Sequence, residues 1–296
     1  MSKKYKVSEI FYSPQGEGRY TGQLTAWVRA FTCNLQCNGF GQKDPTDPAS
    51  YILPYKTFDV SNIKRIEDLP VFDYGCDSSY SWSAKFKHLC PDLTSDEIAT
   101  RLLDLLPGRS FKQKHTNIHL AFTGGEPLLP KGQLMIMDAL DSLYLQGEFP
   151  INITIETNGT QKLTDDFQEF VNAWYWDMND KSEEMFFSIS PKLFNVSGES
   201  RDKAIDESAI KTYKDMPGQL KFVVNESDSS WKEMEEVIEI YNDNGVFLPV
   251  WIMPVGATAE SQNTDHIKRI ALKAMANGYN ISARVHTYIF GNQIGT

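Results

Sequence analysis

Cysteine, positive charge and long apolar runs are all scarce in these 296 residues, and each shortage narrows what the chain is. The four cysteines are Cys33, Cys37, Cys76 and Cys90, few for a disulfide frame in a chain of this size. They read instead as metal ligands, catalytic thiols or core fillers. Lys and Arg total 29 against 39 Asp and Glu, a net charge of −10, and no basic run interrupts the acidity. Direct binding to nucleic acid or to anionic lipid, which needs a basic face, is not expected. No stretch reaches the ~18–20 unbroken apolar residues of a spanning helix. The basic start Lys3-Lys4-Tyr5-Lys6 is not followed by the apolar core of a signal peptide. The chain is therefore expected to be cytoplasmic. With 41% hydrophobic and 23% charged residues, its composition is that of a folded protein rather than a disordered one.

What is present is alternation. From about residue 95 onward, β-rich apolar runs exchange with helical stripes. Strands are expected over 24–31, 116–122, 151–156, 185–190, 219–224, 247–253 and 283–289, with helices near 96–106, 133–145, 165–174, 202–215, 231–242 and 264–277. The first helix illustrates the reading. Thr94 or Ser95 caps it, Asp96 and Glu97 suit its positive end, Ile98, Leu102, Leu105 and Leu106 form a stripe, and Pro107-Gly108 stops it. Such alternation implies an α/β fold whose parallel strands are joined by right-handed crossovers. Roughly seven strands fall short of a complete eight-unit barrel, which leaves a doubly wound sheet or a partial barrel. One stretch, from Gly39 to about Leu93, is rich in Pro, Asp, Ser and Tyr and has little periodicity. A connection of that length inside a compact fold is usually functional or inserted.

Ligands of parallel α/β folds bind at the carboxyl ends of the strands. The expected strands run into Thr32-Cys33-Asn34-Leu35-Gln36-Cys37, Thr123-Gly124-Gly125-Glu126-Pro127, Glu156-Thr157-Asn158-Gly159-Thr160, Ser188-Ile189-Ser190-Pro191-Lys192 and Met253-Pro254-Val255-Gly256, and the last carries Arg284-Val285-His286. Polar and glycine-rich segments at one edge predict a single large site. The sulfurs of Cys33 and Cys37 suit zinc or an iron–sulfur cluster, or else fill a core. Their neighbours Asn34, Gln36, Asn38 and Gly39 are poor core formers. Gly124-Gly125 either lets backbone approach a ligand or makes a tight turn into a helix begun near Pro127.

Together these residues resemble the radical S-adenosylmethionine superfamily, and within it the 7-carboxy-7-deazaguanine synthases. The resemblance is carried by Tyr12-Ser13-Pro14-Gln15-Gly16-Glu17-Gly18, Gly22, Trp27-Val28-Arg29 and Cys33-Asn34-Leu35-Gln36-Cys37. Gly124-Gly125-Glu126-Pro127, Glu156-Thr157-Asn158-Gly159, Ser190-Pro191-Lys192, Leu220-Lys221-Phe222-Val223-Val224 and Met253-Pro254-Val255-Gly256 follow in the family's order. The usual spacing, Cys-x3-Cys-x2-Cys, puts Phe40 where the third cysteine belongs. The family's Cys-Asp-Thr piece is displaced here to Cys76-Asp77-Ser78-Ser79-Tyr80-Ser81-Trp82. Cys76 is thus the expected third ligand, and Cys90, in a Leu-Cys-Pro context, the competitor. The chain reads as one radical-SAM unit over 1–296, a partial TIM-type β/α barrel, with an insertion at about 39–75 inside the cluster loop.

The resemblance implies a [4Fe–4S] cluster on Cys33, Cys37 and Cys76, with one iron left to chelate S-adenosylmethionine. Gly75, Asp77, Gly124, Gly125, Glu126, Glu156, Asn158, Ser190, Pro191, Lys192, Met253, Pro254, Val255 and Gly256 would contact that cofactor. Mg²⁺ would take the hydroxyl of Ser78, where the family commonly has threonine. The implied substrate is 6-carboxy-5,6,7,8-tetrahydropterin, met by Pro14, Gln15, Gly16, Glu17, Arg29, Thr123 and His286. Its ring contracts with loss of ammonia, so the enzyme is a carbon–nitrogen lyase of 7-deazaguanine biosynthesis, the queuosine pathway. A homodimer is implied in the same way, and the acidity of the chain suggests an electron donor such as flavodoxin. Two other readings stand beside this one: a radical-SAM activase, and a non-catalytic metal-binding or interaction protein of the same fold, which Phe40 keeps open. Without reference to the family, Arg29 could simply pair with a carboxylate, and His286, or His88, His115 and His119, could be packing residues.

Overall fold

The computed structural model describes residues 3–176, 184–291 and 293–296. Strands β1 (Tyr5–Pro14), β2 (Leu24–Ala30), β3 (Asp92–Leu93), β4 (His119–Gly124), β5 (Asn152–Thr157), β6 (Glu184–Ile189), β7 (Gly218–Val224), β8 (Val250–Pro254) and β9 (Asn280–Ile281) form one sheet. Their order is β3-β1-β2-β4-β5-β6-β7-β8-β9. β1 is antiparallel to β2 and β3, whereas every pair from β2–β4 to β8–β9 is parallel. Because successive parallel strands are spatial neighbours, crossovers of one hand carry all their helices to the same side. The sheet is therefore an incomplete barrel, open between β3 and β9, as the sequence predicts.

The pleat divides the residues between two faces. Leu120 and Phe122, Ile153 and Ile155, Phe187 and Ile189, and Leu220, Phe222 and Val224 point to the helices and join Ile98, Leu102, Ile136, Leu140, Phe167 and Met234 in the main core. Each such side chain contributes about 2 kcal/mol when fully buried. The alternate residues, among them Arg29, Thr123, Glu156, Ser188 and Lys221, line the concave inner face. Register sets Arg29 beside Thr123 and Glu156 beside Ser188.

The helix expected first runs Ser95–Leu105 and opens on a capping box, Glu97 N donating to Thr94 Oγ1 at 3.2 Å and Thr94 N to Glu97 Oε2 at 2.8 Å. Three elements differ from expectation. β1 is an additional strand, set between β2 and the two-residue β3. The stretch at 202–215 is broken into Arg201–Ala204, Glu207–Ile210 and the 3-10 turn Lys211–Tyr213, because Asp206 accepts from Ser208 N and Ala209 N and restarts the helix. The strand expected at 283–289 is not formed: the short β9 ends before it, and the helix Val285–Phe290 takes its place. An apolar run of that length fits either period.

Phe40 and Gly75 stand at the two ends of the expected insertion and are tied together, Gly75 N donating to the Phe40 carbonyl at 2.8 Å. Cys76 therefore follows Phe40 in space. The intervening Tyr55, Ile66, Leu69 and Phe72 pack with Tyr80, Phe86, Cys90 and Ile294 into an apolar cluster of their own. Among the described residues no helix is long and apolar enough to cross a membrane.

Candidate active site

The concave face opens into a cavity of about 270 Å³ at the carboxyl ends of the parallel strands. β1 delivers Pro14, Gln15, Gly16 and Glu17 to its wall, β2 delivers Arg29, and the loop beyond β2 brings Cys33 and Cys37. The returning end of the inserted segment supplies Gly75, Cys76, Asp77 and Ser78. β4 contributes Thr123, Gly124 and Gly125, and β5 leads into Glu156 and Asn158. Ser190 and Lys192 follow β6, Met253, Pro254, Val255 and Gly256 close β8, and His286 comes from the last helix. Glu126 and Pro191 are buried behind this wall rather than on it. Glu126 accepts from Leu128 N at 2.9 Å, Thr157 Oγ1 at 2.8 Å and Asn158 N at 2.7 Å, so it fixes the β4 and β5 loops to each other. Burial raises its pKa against those hydrogen bonds.

The thiol loop is built with care for its backbone. Glu199 Oε1 accepts from Gln36 N at 2.7 Å and Cys37 N at 2.6 Å, holding Cys37 at φ 51. A Cβ on Gly125 would lie 2.4 Å from the Thr32 carbonyl oxygen and 2.8 Å from Cys33 Cβ, so only glycine lets β4 end against this loop. Cys33 Sγ accepts from Leu35 N at 3.4 Å. Burial, then the charge of Glu126, pushes the Cys33 thiol up to about 12. Burial and Asp77 push Cys76 up to about 11, and burial raises Cys37 as well, with Lys192 opposing the rise at all three. Such thiols keep their protons until a cation draws them off. Cys90 is elsewhere, in the apolar cluster under the insertion.

Ion pairs hold the remaining charges. Glu17 is bound by Lys221 on β7 and, at 3.0 Å, by Arg284 Nε, while Lys221 Nζ is also 3.9 Å from Glu156 Oε1. Although burial raises the Glu17 carboxyl, Lys221, Arg284 and His286 together hold it far below the carboxylate range. Arg284 also reaches Asp77 Oδ2 at 2.6 Å and the Gly256 carbonyl at 2.8 Å. Glu156 accepts from Gln15 Nε2 at 3.2 Å and Thr123 Oγ1 at 3.1 Å. Arg29 pairs with Glu9, lies between the Phe11 and Tyr80 rings at 5.7 Å from each, and has Ser78 Oγ 3.4 Å from Nη1. Tyr80 also donates to Glu9 Oε1 at 2.8 Å. Glu9, Tyr80, Lys221 and Arg284 are wall residues to which the sequence assigned no role. Tyr80, Lys221 and Arg284 stand inside segments quoted from the sequence, whereas Glu9 left no trace.

A cluster with three thiolate ligands and an open iron needs soft donors on one rim beside a roomy polar wall, and Cys33, Cys37 and Cys76 meet that requirement. Among the described residues no three His, Cys, Asp or Glu side chains converge as they would around one bare ion. A cubane cluster instead spreads its thiolates over separate irons. Trp82, on the same wall, interacts through its side chain with the Cys76 thiol, and Lys192 sets a positive charge near all three sulfurs.

No established family profile matches the chain. Over nearly its whole length it is similar to curated proteins named 7-carboxy-7-deazaguanine synthase. The one from Rhodopirellula baltica is 26% identical over 98% of this chain and 88% of its own. That from Pyrobaculum aerophilum is 24% identical over 99% of this chain and 97% of its own. The crystal structure of QueE from Escherichia coli shares the fold, with a TM-score of 0.52 at 18% identity over 96% of this chain and 95% of that one.

Proposed function

We propose that this chain is a 7-carboxy-7-deazaguanine synthase that contracts 6-carboxy-5,6,7,8-tetrahydropterin to 7-carboxy-7-deazaguanine with loss of ammonia. The observation that carries this reading is the meeting of Cys33, Cys37 and Cys76 with Arg29 and Glu17 around one cavity, in a chain whose full-length relatives bear that name.

The three cysteines would hold a [4Fe–4S] cluster, making the chain a radical-SAM lyase. When bound, the cluster and S-adenosylmethionine supply hydrogen-atom abstraction from the substrate. The protein's own task is to bind, orient and keep the site dry. Lys192, which donates to Ser190 Oγ at 2.9 Å, sets a positive charge on the wall near the thiols and suits the carboxylate of S-adenosylmethionine. The carbonyls and apolar side chains of Met253–Gly256 suit its uncharged parts. Arg29, stacked between aromatic rings and anchored by Glu9, offers its remaining guanidinium edge to the pterin carboxylate. Glu17, held ionised, accepts from N–H groups of the pterin's guanine-like edge.

The wall already mixes Glu9, Glu17, Asp73, Asp77 and Glu156 with Arg29, Lys192, Lys221 and Arg284. A substrate carboxylate adds to the negative side of that balance, which favours a divalent cation. Ser78 Oγ has only long partners, Asp77 Oδ1 at 3.3 Å and Arg29 Nη1 at 3.4 Å, and is free to turn to Mg²⁺ completed by water and substrate. The insertion at about 39–75 belongs to the same unit and covers the site. A reductant such as flavodoxin and a homodimer complete the reading.

The test is a strictly anaerobic assay of iron- and sulfide-reconstituted protein with S-adenosylmethionine, reductant, Mg²⁺ and 6-carboxytetrahydropterin, followed by mass spectrometry. Carboxydeazaguanine is the expected product. 5′-Deoxyadenosine alone would keep the radical chemistry and overturn the substrate. Neither product from a protein with verified cluster would leave a non-catalytic binder of the same fold.

A further inference from the structure

Arg284 is buried, and each nitrogen of its guanidinium serves a different part of the cavity. Nε donates to Glu17 Oε1 at 3.0 Å, on the segment after β1. Nη2 donates to Asp77 Oδ2 at 2.6 Å, next to Cys76. Nη1 donates to the Gly256 carbonyl at 2.8 Å, beyond β8. The segment that carries Glu17 is itself tied to the arginine's own chain, since Val285 N donates to the Gly16 carbonyl at 2.9 Å. Only a planar fork reaches three acceptors in three directions; a lysine has one nitrogen.

We propose that Arg284 is a positioning residue that couples recognition of the pterin to the cysteine loop, by holding Glu17 and Asp77 on one guanidinium. The inference rests on the synthase reading and extends it to a residue that no motif marks. Glu17 faces Lys221 from β7, and Arg284 and His286 from the last segment; Asp77 faces Arg284, Glu17 and Arg29; Glu156 stands behind Lys221. Lys221 remains for Glu17 when Arg284 is removed, but Asp77 loses its bonded cation and faces Glu17 across the gap. Two buried carboxylates left with too little positive charge between them move apart. That movement shifts Glu17 from its acceptor role and the Asp77–Ser78 pair from its place beside Cys76.

Arg284→Gln and Arg284→Lys would be compared with the wild type after cluster reconstitution, using iron content and the electron paramagnetic resonance of the reduced cluster as controls for the loop. The measured quantity is the Kd of the fluorescent, stable 6-carboxypterin, with KM and kcat for the tetrahydropterin taken in parallel. For Arg284→Gln, wild-type iron content is expected, with Kd and KM raised about tenfold, the size of one charge-assisted contact, and kcat changed far less. Arg284→Lys should recover part of the affinity. Unchanged Kd and KM in a loaded Arg284→Gln protein overturn the coupling and leave the synthase intact, as does a variant that cannot take up iron, which would make Arg284 a support of the loop alone. Failure of the wild type to bind or convert the pterin overturns the synthase reading and this inference with it.

Discussion

Cys90 lies 3.7 Å from Ser8 Oγ and 3.6 Å from the Phe86 carbonyl, inside an apolar cluster, while Cys33, Cys37 and Cys76 face the cavity. Cys76→Ala is therefore expected to lose most of the iron and sulfide taken up on reconstitution. Cys90→Ala should keep the wild-type amount and cost only about 1 kcal/mol of stability. Equal iron in both variants would dismiss Cys76 as a ligand. Ser78→Ala should leave iron content unchanged and raise the Mg²⁺ concentration for half-maximal turnover several-fold; an unaltered Mg²⁺ titration would remove the hydroxyl from the metal's surroundings. Cys76 and Ser78 were visible in the sequence because a motif carries them. Glu9 was not, and Lys221 and Arg284 were visible as residues but not as partners, because an ion pair across a barrel leaves no spacing behind: Glu17 and Arg284 meet only after every intervening strand is in place. Arg29 shows both sides of this. Its place at the end of β2 was legible, but its partner Glu9 is on the neighbouring antiparallel strand, and that strand was not expected.

Strand ends dominate the behaviour of the elements. Gly125 closes β4 against the loop that holds Cys33, and an added Cβ would strike backbone at Thr32 rather than a flexible side chain. Gly125→Ala should cost about 2 kcal/mol in denaturant unfolding and lower iron uptake, since the strain falls on the thiol loop. Full iron uptake with unchanged stability would show that the loop yields without consequence. The alternation of strand and helix was legible because two periods, 2 and 3.6, write themselves into apolar spacing. Where the period is ambiguous the reading failed, as at 283–289, which lies beyond β9 and runs into the helix Val285–Phe290. That helix turns Arg284 and His286 onto the cavity wall, so the chemistry of the segment was placed correctly on an element of the wrong kind. The inserted segment gave no period at all, and its order comes from short turns packed on Tyr55, Ile66, Leu69 and Phe72.

Taken whole, the molecule carries an acidic surplus and buries several groups whose titration works on its stability in opposite directions. His119 on β4 is packed against Tyr20 at 4.6 Å between ring centroids, with the Thr154 hydroxyl 2.8 Å from its Nε2. Burial lowers its pKa from 6.5 to about 4, only partly opposed by the hydrogen bond with the Ile153 backbone. In the unfolded chain this imidazole takes a proton near pH 6.5, whereas in the folded chain it waits until about pH 4, so acid favours unfolding throughout that interval. The stability at stake is present in full above pH 6.5 and is lost as the pH falls toward 4, amounting to about 3 kcal/mol. His286, lowered by burial, acts in the same sense, while Glu126, raised by burial, opposes it. Glu17 and Asp77, held low by their cations, remain charged through the upper part of the window and withdraw their contribution only at lower pH. His119→Gln keeps a partner for Thr154 without a titrating ring. Urea unfolding at pH 7.5 and pH 5 should therefore show a smaller acid loss in this variant than in the wild type, by about 2 kcal/mol. Identical losses in the two proteins would mean that His119 takes its proton in the folded state as readily as in the unfolded one, and that the strand opens around it before the rest of the sheet does.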